Sequence, residues 1–127
     1  MFFLDPNRAL VRMVAGAQEV LPVLYKSDTV AAAANKTTIS AVTGKRIKVI
    51  GMQAMSIAAL GQLTFFSAST AGALLWDGYP PDGAVAGITI LPLNPLGYFE
   101  TVAGEALIAR AVTANQMWNL QYITYTP

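Results

Sequence analysis

NPLGYFETVAGEALIARA, residues 94–111, sets Glu100 and Glu105 five positions apart in a largely apolar run. Carboxylates are scarce here, with seven Asp and Glu in 127 residues. Two readings compete. A catalytic pair of the glycosidase kind needs a fixed separation across a cleft and one carboxyl held protonated by its surroundings. Nothing beside these two residues supplies such surroundings. The other reading makes GYFET and EALIARA strands around a turn at VAG, with Gly104 at the position of positive φ in a short hairpin. Tyr98 and Glu100 then share one face, Phe99 and Thr101 the other. Leu107 and Ala109 oppose Ile108 and Arg110, and Glu105 keeps solvent at the strand mouth. This alternation of period two is the signal of a half-buried strand, so the stretch reads as β-structure.

The pattern extends outward from there. From about Tyr25 onward, TTISAV, RIKVIGMQAMSIAAL, GQLTFFSAS, VAGITILPLNP and QMWNLQYITYTP read as strands separated by Gly, Pro, Asn and Asp turns. In the second of these, Ile47, Val49, Gly51 and Gln53 alternate with Lys48, Ile50, Met52 and Ala54. Roughly eight short strands spaced at about 8–12 residues predict an all-β antiparallel β-sandwich or jelly roll. Residues 1–24 stand apart from this jelly-roll domain of residues 25–127. Asp5 and Pro6 can open a short helix, which Gly16 and Pro22 would end. Alternatively, the segment is an extended arm with Phe2, Phe3, Leu4, Leu10, Val11 and Val14 as apolar anchors.

Composition narrows the function. Hydrophobic residues make up 54% and charged residues 12%, about half the usual ~25%. A surface so poor in charge is expected to be covered by a partner, as in obligate assemblies. The net charge of +1 offers no broad attraction to nucleic acid or anionic lipid. The absence of His and Cys removes the Ser-His-Asp and Cys-His arrangements, disulfides and cysteine zinc sites. No enzymatic activity, cofactor or metal is therefore expected. MFFLDPNRAL lacks the basic leader of a secretion signal. Residues 49–76 carry no charge and are long enough to span a bilayer. Recurrent Gln, Ser, Thr and Gly argue against a lipid-facing helix, so no membrane span is expected.

Three local features complete the reading. LLWDGYPPDG, residues 74–83, sets Trp76 and Tyr79 around Asp77, with Asp82 close by. It reads as a rigid loop anchored by Trp76, while aromatic rings beside carboxylates also suit a sugar. Lys45, Arg46 and Lys48 read as the solvated start of a strand. Residues 111–127 carry no charge, with Trp118, Leu120, Tyr122 and Tyr125 mostly of one parity, as in a buried final strand or an interface.

The order TISAVTGKRIKVIGM, LTFFSAS, LPLNPLGYFETVAGEALIARA and NLQYITY resembles small bacteriophage head decoration, or cement, proteins of jelly-roll fold. The match runs over about residues 29–125 and rests on Pro95, Gly97, Phe99, Thr101, Gly104, Glu105, Ala106 and Leu107. It leaves the first 24 residues outside. The resemblance implies a structural virion protein on the outer surface of the capsid. Such a protein, a homotrimer, would clamp neighbouring major capsid proteins. Phe2, Phe3, Leu4, Leu10, Val11, Trp76, Tyr79 and Trp118 are the candidate capsid or subunit contacts. A carbohydrate- or receptor-binding module and a head–tail connector or fibre-base component are the alternatives.

Overall fold

The computed structural model describes residues 2–6, 9–68, 72–83 and 87–127. Twelve strands account for its regular structure: β1 (Phe2–Leu4), β2 (Leu10–Val14), β3 (Ala17–Leu21), β4 (Leu24–Val30), β5 (Asn35–Ile39), β6 (Arg46–Ile57), β7 (Leu63–Ser67), β8 (Leu74–Gly78), β9 (Thr89–Leu91), β10 (Phe99–Glu100), β11 (Leu107–Ala111) and β12 (Asn115–Tyr125). There is no helix among the described residues, and none long and apolar enough to cross a membrane. The chain is all-β, with antiparallel strand pairs throughout.

Two sheets form the sandwich. One has the order β10-β6-β12-β4, with β9 also on β6, and the other has the order β5-β11-β7-β8. From β4 onward the chain passes repeatedly from one sheet to the other, which is the winding of a jelly roll. Strands β9 and β10 fill one edge position beside β6, at residues 52–54 and 48–49 respectively. Pro92 and Pro95 lie between them and cannot donate to a ladder, so this edge is interrupted. The count thus exceeds the expected eight because this strand is split and because the described residues ahead of β4 add three strands, β1 to β3. The helix considered for that segment does not form: residues 10–14 are strand.

The core between the sheets gathers Ile47, Val49, Met52, Ala54, Leu63, Phe65, Phe99, Leu107, Ala109, Trp118 and Leu120. Phe65 stacks on Phe99 at 5.5 Å and meets Trp118 edge-on at 5.7 Å. Strict alternation along β6 is not kept. Gln121 pairs with Gly51 and Tyr122 with Val49, which leaves Ile50 as an extra residue in a β-bulge. The bulge resets the parity, so Ile47 and Val49 face the same core as Met52 and Ala54, while Ile50 faces the opposite side.

On that opposite side lies a third, three-stranded sheet of order β1-β2-β3. It covers part of the outer surface of the β6–β12 pair and builds a second apolar cluster of Leu10, Leu21, Ile50, Ile123 and Tyr125, with Phe2 and Val23 against it. The final strand therefore serves two cores: Trp118 and Leu120 face inward, Ile123 and Tyr125 outward.

The 94–111 stretch is not a hairpin. Its first half, β10, pairs with β6 in one sheet, and its second half, β11, pairs with β5 and β7 in the other. Gly104 does take the positive φ expected of it, at 80°. The turn it makes belongs to a crossing between sheets. Thr101 exchanges hydrogen bonds with Ile47, and the Val102 amide donates to Ser67 Oγ at 2.9 Å. Adjacent residues thus fasten the crossing to opposite sheets.

Candidate functional site

Glu100 and Glu105 belong to separate hydrogen-bond groups. Glu105 accepts from the Ser67 hydroxyl on β7. Glu100 accepts from the Tyr125 hydroxyl and lies 3.7 Å from Arg46 and 3.8 Å from Lys48. Burial and the Glu100 bond together raise the Tyr125 phenol from 10.0 to about 12. Lys48 departs from the solvated position expected of it. Its Nζ stands 4.0 Å over the Phe2 ring and donates to the Leu96 carbonyl at 3.3 Å. Burial pushes this amine below the ordinary lysine value, against the pull of Glu100. These groups join the N-terminal sheet to the sandwich.

The 74–83 segment is part strand: β8 holds Trp76 half-buried, with its ring 6.1 Å from Phe65. Tyr79 projects at 64% exposure. The Pro80–Gly83 turn is fastened by Ser56, whose hydroxyl donates to the Pro80 carbonyl at 2.6 Å and whose amide donates to Pro81 at 2.9 Å. Asp77 accepts from Gln62 at 2.7 Å. Among the described residues no cluster of acidic side chains suits a metal ion.

Two surfaces have the character of binding sites. The first is the β2–β3 hairpin. Leu10, Val11 and Leu21 at its base are buried, whereas Met13, Val14 and Val20 toward its tip are 48%, 44% and 62% exposed. Ala15 and Gly16 form a two-residue turn with φ of 49° and 81°, the pattern of a type I′ hairpin. Arg12 braces the hairpin, reaching Glu19 at 2.6 Å and the Thr126 carbonyl at 2.6 Å. Of the expected contact residues, Leu4 is exposed and Phe2 and Phe3 are half-buried. Leu10, Val11 and Trp118 are enclosed within the chain and offer no contact surface. Toward the hairpin tip the exposed apolar residues are Met13 and Val20 on the face that carries Val11, and Val14 on the opposite face.

The second surface was not singled out by the sequence. Beyond the area covered by the N-terminal sheet, the outer face of the five-stranded sheet is open. Register places Ile90, Gln53, Asn119 and Ser27 in one row across β9, β6, β12 and β4, with Gly51, Gln121 and Tyr25 in the neighbouring row. Two adjoining hollows of about 260 and 220 Å³ lie here, both lined by Gln53 and Asn119. No charged residue lines either among the described residues. The side chains of Gln53, Asn119 and Gln121 make no hydrogen bond within the described structure. A Cβ at residue 51 would strike Gln121 Oε1, so Gly51 gives that carboxamide room against the strand. No protein-family model, curated protein or solved structure matches this chain.

Proposed function

We propose that this chain is a structural virion protein of the decoration class, which docks on the outside of a phage head and stabilises contacts between major capsid proteins. The observation that carries the reading is the β2–β3 hairpin, anchored at its base by buried Leu10 and Leu21 and bare at Met13, Val14 and Val20. Exposed apolar groups on a braced, prefolded element lose little conformational freedom on binding, which favours association with another protein surface. The resemblance noted above adds the kind of partner: an assembled shell.

The effect on the shell is mass action. A protein that binds the assembled lattice and not its separated subunits stabilises the lattice by RT ln(1 + [L]/Kd) at each site. Many sites on one shell multiply a modest term. The test is co-sedimentation with heads of the encoding phage that have been stripped of this chain. The Met13→Ser, Val14→Ser, Val20→Thr triple variant should keep its fold and lose most of its occupancy at limiting concentration. Full occupancy by the triple variant would remove the hairpin from the docking surface.

A further inference from the structure

We infer that the open half of the outer sheet face binds a neutral oligosaccharide, with successive sugar rings in the two hollows and the Gln53 and Asn119 carboxamides between them. The site is separate from the β2–β3 hairpin and stands whether or not the chain decorates a capsid.

The chemistry of the lining selects the ligand. Each carboxamide carries two N–H donors and one carbonyl acceptor. Gln53, Asn119 and Gln121 leave all of these unpaired among the described residues, on a face built by the β6–β12 ladder. Vicinal sugar hydroxyls also donate and accept, so they can satisfy both ends of a carboxamide at once. An ionised ligand would find no opposite charge among the described residues lining either hollow and would lose hydration without compensation. The apolar components fit the same ligand. Tyr25 is 68% exposed beside the larger hollow, and its ring can stack against the C–H face of a pyranose. Ile90 and Leu93 on that side, and Met117 on the other, are walls for the ring edges. Each hollow lies below the roughly 300–1,000 Å³ that takes a drug-sized molecule, which favours one ring per hollow over a single bulky ligand. Gly51 is part of the site, because any larger residue would displace the Gln121 carboxamide.

The experiment is a printed array of neutral and anionic glycans, followed by titration calorimetry with neutral gluco-, manno-, galacto- and xylo-hexasaccharides. At least one neutral oligosaccharide should bind, with an affinity that salt leaves unchanged because no charge pair is involved. Tyr25→Ala and Asn119→Ala should each weaken it by about tenfold or more, through lost stacking and unpaired hydroxyls. Asn119→Asp, which keeps the shape and removes the N–H donors, should weaken it similarly at an unchanged melting temperature. Tyr79→Ala, on the separate 74–83 segment, should have no effect. Binding by anionic glycans alone, binding that survives the Tyr25 and Asn119 variants, or no glycan binding at all would overturn the inference. So would self-association of the chain that depends on Tyr25, since it would assign the face to a second copy. Hairpin variants that abolish capsid attachment should leave the glycan affinity untouched, so the two readings fail independently.

Discussion

Lys48 Nζ stands 4.0 Å over the ring of Phe2, and the same ring meets Tyr125 edge-on at 4.8 Å. The N-terminal sheet is thus held to the sandwich by an aromatic ring that touches a cation on β6 and a phenol on β12. Phe2→Leu keeps apolar bulk but removes the ring. It should lower stability by about 1–2 kcal/mol, the sum of a cation–π contact and an aromatic pair. Urea unfolding measures this, and an unchanged midpoint would show that the ring contributes only area.

The Tyr125 phenol sits in the same cluster and titrates near 12 instead of 10.0. The folded state therefore keeps its proton where the unfolded chain has lost it. The stability this group contributes is fully present below about pH 10 and is lost as pH rises from there toward 12. A rise of two units corresponds to roughly 2–3 kcal/mol across that window. Tyr125→Phe, which cannot ionise, should be less stable than the parent at neutral pH, where it lacks the Glu100 bond. The gap should then close between about pH 10 and 12. The depressed Lys48 amine acts with the opposite sign, raising stability as pH climbs toward the ordinary lysine value, and it does so in both proteins. Unfolding curves at alkaline pH that stay parallel would contradict the role given to Tyr125.

Ser56 is fully buried and links Gln116 on β12 to the Pro80 carbonyl and the Gly61 amide. Ser56→Ala leaves those partners without their bond inside the fold. Its expected cost is about 1–3 kcal/mol. Hydrogen exchange should quicken at the Gly83 amide, which donates to the Ser56 carbonyl at 3.0 Å. Protection unchanged at Gly83 would show that the turn is held by other contacts.

Ala15 occupies the left-handed region at φ 49° in the hairpin turn. An L-residue with a Cβ is strained there, whereas Asn tolerates the conformation and favours type I′ turns before Gly. Ala15→Asn should raise stability by roughly 0.5–1 kcal/mol in thermal unfolding. A loss would show that the turn has another geometry in solution.

The fold class was legible because period-two alternation reports which residues face inward. Phe99, Thr101, Leu107 and Ala109 are all buried, in the parity the sequence implies. Alternation does not report which sheet a strand joins. In a sandwich both sheets face one core, so β10 and β11 look the same whether they pair with each other or lie on opposite layers. The Ile50 bulge was also hidden, since Val49, Ile50, Gly51 and Met52 are apolar or small in either parity. The β2–β3 hairpin was obscured by Ala at a turn position where Asn or Gly is the usual signal. The carboxamide face was beyond reach for a different reason. Gln53 and Asn119 become neighbours only through the β6–β12 register, and nothing local marks either residue.

The most direct measurement of the decoration proposal is an image of phage heads assembled with this chain, at a resolution that separates subunits. The decoration reading predicts density for this jelly roll on the outer surface, with the β2–β3 hairpin and its Met13, Val14 and Val20 seated against major capsid protein. Heads that carry no such density, or density in which the hairpin points away from the shell, would contradict it.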